Sequence, residues 1–448
     1  MLWLALSALA AHPSTELVTH PTLTTLPNGL VVLLEENHRT DTVALHLTYG
    51  VGARDEQPGE LGCAHLFEHL MFEGSEHVPT NKFDEWLTLA GGDNNAYTSE
   101  DVTAYHMTFP SGAADLGLFL ESDRMGFLLS GITDENVANQ RKVVLQERAE
   151  GYAEPNGRDW DALTRLVWPE DHPYHHPVIG TVADVEGFTA ANTAAFWKAH
   201  YRPSNGVLAL VGNFDSASML AKVQAWYADV PEPEGAVGRV GKFEEGVKWL
   251  PANGYIEDDV EERSIYLAWR TVPVGHPDEP ALDLLEQILS GGRGTRIDDR
   301  LYYDTTKATS VFAYHAVSEV GGVFIVAASS PDTLLDRLSK LITQEIGYIP
   351  QGLPTDAELE RARESIRASW LDRLEDPASR AELLVECHRS TGRPDCLVDE
   401  WKRYTDVTAD DLARVTKKYL DLETTVSLSV VPRGDPLFLL GAKPVELP

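Results

Sequence analysis

One arrangement of residues occurs twice in this chain, and it constrains the fold more than any other feature. Thr42–Tyr49 alternates apolar and polar residues as a strand does. A loop over Gly50–Leu61 follows, then a helical stretch from Gly62 to Leu70, then Glu73-Gly74-Ser75. Further on, Ser264–Trp269 reads as a like strand. A loop through Pro273 and Pro277 leads to a helix over Ala281–Leu289 that stops at Ser290-Gly291-Gly292. An offset of 219 residues lays Leu284 over His65, Gln287 over Glu68 and Ile288 over His69. The second half thus repeats the scaffold with apolar or amide side chains where the first has imidazoles and an acid. Two domains of like fold are the expectation, and 448 residues exceed what one core usually organises. Pro231-Glu232-Pro233-Glu234-Gly235 reads as the connection. The boundaries are then 17–230 for the first domain, 231–245 for the linker and 246–448 for the second.

The first copy carries chemistry. In Gly62-Cys63-Ala64-His65-Leu66-Phe67-Glu68-His69, helical spacing puts His65, Glu68 and His69 on one side and Leu66, Phe67 and Leu70 on the other. Two imidazoles a turn apart can grip one cation, and a carboxylate between them can reach its water. His-x-x-Glu-His is the inverted order of a catalytic zinc helix. The plain reading, two surface histidines on an ordinary helix, is opposed by small residues before the motif and by apolar Leu70-Met71-Phe72 after it. Catalytic zinc takes three protein ligands and keeps one open position. Glu147 stands 78 residues past His69, on a helix expected from Glu135 beyond Glu150 and capped at Thr133. On spacing alone Glu150, Glu135 and Glu121 compete with it. Glu68 is read as the base, taking a proton from water and passing it to the leaving amine.

Other elements follow from pattern. Thr24–Glu35 reads as a hairpin about Asn28-Gly29. Phe83–Ala90 reads as a helix and Asp93–Phe109 as a strand pair. An amphipathic helix is expected over Leu116–Ser130, and further helices over Ala191–His200 and Met219–Tyr227, with a strand at Val207–Val211. Asn95, Ala96 and Tyr97 are candidate peptide-binding residues. Small side chains after Gly91-Gly92 leave room for a second backbone, provided that the strand is an edge and not an interior one. The net charge of −33 excludes a nucleic-acid partner on electrostatic grounds, and it reads either as a solvated acidic surface or as a preference for basic peptides. Cys63 is out of phase with the histidines and reads as packing, whereas Cys387 and Cys396 can pair in an oxidising compartment. Met1–Ala11 is a short apolar run with Ala8-Leu9-Ala10 as a cleavage signal, which points to a periplasmic or secreted protein, or a cytoplasmic one if the run is kept. No stretch is long enough for a stable membrane span.

At these residues the chain resembles the pitrilysin/insulinase family of zinc peptidases, in particular its small bacterial and mitochondrial-processing-peptidase-like members. The likeness is carried by Gly62–Ser75, Gly91-Gly92 with Asn95, Ala96 and Thr98, then Thr103 and Tyr105. It continues in Arg141–Glu147, in His172-Pro173-Tyr174 with Gly180, and in Tyr201-Arg202-Pro203 with Gly212. The resemblance implies one Zn2+ per chain held by His65, His69 and Glu147, with Glu68 as base. It implies an α+β fold of two homologous domains, each a mostly antiparallel sheet packed with helices, forming half of a clamshell chamber. Two halves make a chamber, so a second subunit is implied, either a homologous metal-free partner or another copy of this chain.

Two positions depart from the family pattern. Gln140 stands where several members carry a second glutamate, which leaves it a secondary polar role. Where the second repeat often holds an Arg and a Tyr seven apart that grip the substrate backbone, this chain has Tyr302 and Thr309. The function expected is a zinc endopeptidase acting on extended, unfolded peptides as the metal-bearing subunit of a two-subunit enzyme. The alternatives are a presequence-processing peptidase and a non-catalytic scaffold subunit of the same fold.

Overall fold

The computed structural model describes residues 17–235, 237–244, 249–303, 307–352 and 354–447. The apolar run Met1–Ala11 and residues 304–306 lie outside them. Two six-stranded sheets organise the chain. The first contains β1 (Thr22–Thr25), β2 (Val31–Glu36), β3 (Thr42–Tyr49), β4 (Asp93–Thr98), β5 (Thr103–Pro110) and β6 (Gly206–Gly212), in the order β1-β2-β6-β3-β5-β4. The second contains β7 (Ala252–Asp258), β8 (Arg263–Thr271), β9 (Ser310–Ser318), β10 (Gly321–Ser330), β11 (Val426–Pro432) and β12 (Lys443–Pro444), in the order β12-β7-β11-β8-β10-β9.

The duplication is visible in the pairing. β2-β6-β3-β5-β4 and β7-β11-β8-β10-β9 share order and direction. Each starts with a parallel pair, β2–β6 or β7–β11, and continues antiparallel. Both domains are therefore α+β with mostly antiparallel sheets. The sixth strand differs, because β1 precedes its antiparallel neighbour while β12 comes from the C-terminal end and runs parallel to β7.

Each sheet has its own core. On the first, Leu45, Leu47, Tyr105 and Met107 pack with Leu66, Phe67 and Leu70 of the helix Cys63–Leu70. On the second, Leu267, Trp269, Phe324 and Val326 pack with Leu284, Leu285 and Ile288 of the helix Glu279–Leu289. The opposite faces are covered by exchange. Ala162, Leu163 and Val167, on the helix Asp159–Val167, lie on the second sheet against Ala268, Ile325 and Leu428. Ala381, Leu384 and Val385, on the helix Pro377–Thr391, lie on the first against Leu33, Ala209 and Val211. Each half thus lends one helix to the other, which makes the interface part of both folds.

Two local expectations change. The helix expected over Leu116–Ser130 runs Ala114–Phe127 with a 3-10 turn at Leu128–Ser130, and it is not amphipathic. Glu121, Asp123 and Arg124 are buried on it, because Glu121 pairs with Arg124, the guanidinium lies over the rings of Phe72, Phe83 and Tyr105, and Asp123 is bound to Ser75 and His77. The connecting segment is pinned by charge, with Glu232 bound to Arg202 and Ser204. Arg239 bridges Asp55 of the first half at 2.6 Å and Glu319 of the second at 2.7 Å. Among the described residues no helix is long and apolar enough to cross a membrane.

Candidate functional site

The helix Cys63–Leu70 is short, so its direction is fixed from outside. Gly62 begins it with φ +95°, and its Cα faces Gly180; a Cβ on Gly62 would stand 2.7 Å from the Ile179 carbonyl oxygen. The Glu56 carboxylate accepts the N–H groups of Gly62 at 2.8 Å and Ala64 at 2.7 Å, donors that a helix start leaves unsatisfied. Burial pushes the Glu56 carboxyl well up, and those two N–H groups draw it down. From the other side Tyr105 donates to the Phe67 carbonyl at 2.9 Å and Tyr201 to the Ala64 carbonyl at 3.3 Å. Gly180, Tyr105 and Tyr201 thereby acquire a physical role as supports of the helix.

His65 and His69 follow on one face, ring centroids 5.0 Å apart. Glu147 comes from the helix Asp134–Ala153, which Thr133 caps at its start. Its carboxylate lies 3.3 Å from His69 Nε2 and 3.7 Å from His65 Nε2. Val137 and Val144 are buried on the same helix and set its rotation. His65, His69 and Glu147 form the one group of three possible metal-binding side chains among the described residues. Two ligands about 2.1 Å from a tetrahedral centre stand roughly 3.4 Å apart, so these separations suit a small divalent cation. His65 Nδ1 is buried without a partner among the described residues. Burial, with His69 adding to it, pushes the His65 imidazole down to about 4, which keeps it neutral, as a metal ligand must be.

The competing acids are placed elsewhere, Glu135 being exposed in the first turn of the helix Asp134–Ala153. Glu121 belongs to the buried pair with Arg124, and Glu150 accepts from Gln146 at 2.8 Å. Arg141, on the same helix, spends its guanidinium on the Glu186 and Phe188 carbonyls. Glu68 accepts from Thr98 Oγ1 at 2.8 Å, and burial pushes its carboxyl up while that hydrogen bond opposes the shift. Gln140, two turns before Glu147, donates to Glu73 at 2.5 Å, in the loop after the histidine helix.

The strand carrying Asn95, Ala96 and Tyr97 is an edge, hydrogen-bonded to β5 on one side alone. Ala96 packs in the core and Thr98 meets Glu68, so even positions face the histidine helix. Tyr97 points the other way and donates to Glu382 at 2.9 Å, and exposed Asn95 accepts the Ala96 N–H. The structure therefore brings the strand to the site but not the Tyr97 side chain. In the second half, Leu284 and Ile288 are buried core residues where His65 and His69 stand in the first. Tyr302 is exposed, and the Thr309 hydroxyl is bound to Glu262 and to the Ser329 carbonyl.

Two family models match in tandem, "Insulinase (Peptidase family M16)" over residues 31–181 and "Peptidase M16 inactive domain" over residues 187–366. The chain belongs to the insulinase family. The inactive-domain model covers the half without the imidazole pair. Zinc protease PqqE of Helicobacter pylori is 26% identical over 419 residues, 92% of this chain and 93% of that protein. A Bacillus subtilis relative named uncharacterized zinc protease YmxG is 26% identical over 373 residues, 82% of this chain and 89% of its own. The crystal structure of a protease from Helicobacter pylori superposes with a TM-score of 0.86 at 25% identity, covering 93% of this chain and all of that one. An M16 inactive domain from Pseudomonas fluorescens shares the fold, with a TM-score of 0.81 at 20% identity over 95% of this chain and all of that one.

Proposed function

We propose that this chain is a zinc metallopeptidase that hydrolyses extended, unfolded peptides, with one Zn2+ held by His65, His69 and Glu147. The observation that carries this reading is the meeting of Glu147 with both histidines, 3.3 and 3.7 Å away, across two separate helices. Its relatives named zinc proteases support it. When bound, zinc acts as a Lewis acid toward a peptide carbonyl and acidifies water.

The chain's own residues do the rest. Glu68 takes the proton of the attacking water and delivers it to the departing amine. Thr98 holds the Glu68 carboxylate by donating its hydroxyl to it. Burial, by raising the Glu68 carboxyl, makes it a better acceptor than an exposed glutamate. The free edge of β4 supplies main-chain hydrogen bonds that align a peptide whatever its sequence. Glu56, Gly62 and Gly180 keep the histidine helix in register with Glu147.

The second domain carries Tyr302 and Thr309 where the family's substrate-gripping pair is expected, so a homologous metal-free subunit supplies that pair in the working enzyme. A compartment outside the cytoplasm fits the Cys387–Cys396 disulfide, since such bonds persist where thiols are not kept reduced.

The test is hydrolysis of a mixture of unstructured peptides by wild type and by Glu68→Gln, each with and without the co-purified partner. Wild type with its partner should cut broadly, lose activity to a chelator and regain it with zinc. Glu68→Gln should retain zinc and lose hydrolysis. Activity surviving in zinc-loaded Glu68→Gln would remove Glu68 from its role.

A further inference from the structure

The second sheet holds a cation that the fold leaves without a counter-ion. On β8, Tyr266 and Ala268 face the helix Asp159–Val167, and the Tyr266 hydroxyl donates to Asp159 at 2.6 Å, at the start of that helix. Strand alternation puts Arg270 on the same face, opposite Val323 of β10 and beyond the point where the helix ends. Its side chain therefore meets the segment after the helix. The guanidinium carbon stands 4.2 Å from the ring centre of Trp249 and 5.9 Å from that of Trp168.

The aromatic walls are held in place. Trp168 stacks on His172 with ring centroids 4.1 Å apart, and its backbone carbonyl is bound to His175 Nδ1 at 2.7 Å. A Cβ on Gly321 would stand 2.8 Å from the Trp168 ring, so the start of β10 lies against it. What the walls lack is an acceptor. Arg270 Nε is buried with no partner, and no carboxylate among the described residues comes within 4.0 Å of the guanidinium. Burial pushes this guanidinium down to about 10, with no acid drawing it back up. Buried Arg124 and Arg202, by comparison, are bound to Glu121 and Glu232. His172 cannot serve as the counter-ion. Burial, with Arg270 adding to it, pushes its imidazole down to about 4, and its Nδ1 accepts the Tyr174 N–H at 3.1 Å. Aromatic rings stabilise the charge but offer its N–H groups no oxygen. Part of the Arg270 side chain reaches solvent, so a ligand can approach it.

We propose that Arg270, seated between Trp249 and Trp168, is a binding site for a carboxylate carried by a polypeptide, either its C-terminal carboxylate or an acidic side chain. A planar carboxylate matches the guanidinium fork, and the half-buried setting strengthens such a pair. Trp168 also forms part of the wall of the cavity between the two halves, so the site adjoins the space where the peptidase reading places a substrate. The polypeptide as carrier rests on that reading, and the carboxylate does not.

Binding is measured, so that the result does not depend on catalysis. Full-length, zinc-loaded Glu68→Gln is titrated by fluorescence anisotropy into labelled unstructured nonapeptides. One has a free C-terminus and no acidic residue, one is its C-terminal amide, and one is the amide with a single glutamate. At least one of the carboxylate peptides should bind about tenfold tighter than the plain amide, and which one does so identifies the source of the carboxylate. In Glu68→Gln/Arg270→Gln that preference should shrink to within about twofold. Equal binding of all the peptides, or a preference unchanged by Arg270→Gln, would overturn the proposal. Urea unfolding of Arg270→Gln supplies a second readout. A midpoint near or above that of wild type is expected, since no ion pair is broken. A fall as large as that produced by Arg296→Leu, which breaks the pair with Glu358, would mean that an acid of this chain already holds Arg270, and would equally overturn it. If the Arg270-dependent preference holds while wild type cleaves none of the peptides, the site stands and the peptidase reading falls.

Discussion

Gly180→Ala is a remote perturbation that reaches the histidine helix through backbone contact. Gly180 has φ +81°, and a Cβ there would stand 2.2 Å from the Leu61 carbonyl oxygen and 2.6 Å from the Gly62 Cα. Both are backbone atoms, so no side chain can swing away. Placing an L-residue in the left-handed region costs about 1–2 kcal/mol. Restoring van der Waals separation requires the Gly62 backbone to retreat by roughly 1.2 Å, an overpacking that costs about 1–3 kcal/mol more. The expected destabilisation is about 2–5 kcal/mol, read as a lowered midpoint in urea unfolding. The same retreat moves the start of the histidine helix, and a shift of about 1 Å at a reacting group lowers turnover about 100-fold. Chelator competition should report weaker zinc binding in the same variant. Gly187→Ala is the control, since a Cβ there meets nothing within 4 Å. Wild-type stability and zinc affinity in Gly180→Ala would refute the claim that this glycine contact positions the helix.

Thr98→Val removes the hydrogen bond that favours ionised Glu68, so its carboxyl should rise further and the acid limb of the kcat/KM–pH profile should move to higher pH. An unmoved acid limb would separate Thr98 from the base. Glu358 is drawn down to about 2, with the Arg296 guanidinium as the leading cause, and Arg296 Nε lies 2.7 Å away. A carboxylate lowered on folding adds stability above its unfolded value near 4.5, and that stability is lost as pH falls toward 2. Arg296→Leu should therefore cost about 2 kcal/mol in urea unfolding at pH 7, and markedly less at the lowest pH at which the chain stays folded. Reducing Cys387–Cys396, which closes a short loop between positions nine apart, should cost roughly 2–3 kcal/mol, measured as the difference in unfolding midpoint with and without reductant.

What was legible in the sequence was whatever rests on local period or local chemistry. The alternation of Thr42–Tyr49, the face shared by His65, Glu68 and His69, and the Thr133 cap each depend on neighbours a few residues away. The repeat marked two domains of like fold, because like loops and breaks enforce like connections. Glu147 was one of four candidate acids on spacing, since the contact closing the cluster joins positions 78 residues apart. Whether Asn95–Tyr97 lay at an edge was likewise open, because edge position is a property of the whole sheet. The exchange of the helices Asp159–Val167 and Pro377–Thr391 is not legible in the sequence for a related reason. Ala162, Leu163 and Val167 carry a helical apolar period, which marks a helix but not the sheet it will cover. Buried Glu121 and Arg124 made the helix Ala114–Phe127 look half-exposed, because pairing cancels a cost that a hydropathy pattern assigns to each residue alone.

The most direct measurement is zinc stoichiometry by elemental analysis after dialysis of wild type, Glu68→Gln and Glu147→Gln, each checked for folding by circular dichroism. One zinc per chain in the first two and its loss from Glu147→Gln is the result expected if the two imidazoles and this carboxylate are the ligand set. Folded Glu147→Gln retaining a full equivalent of zinc at wild-type affinity would contradict it.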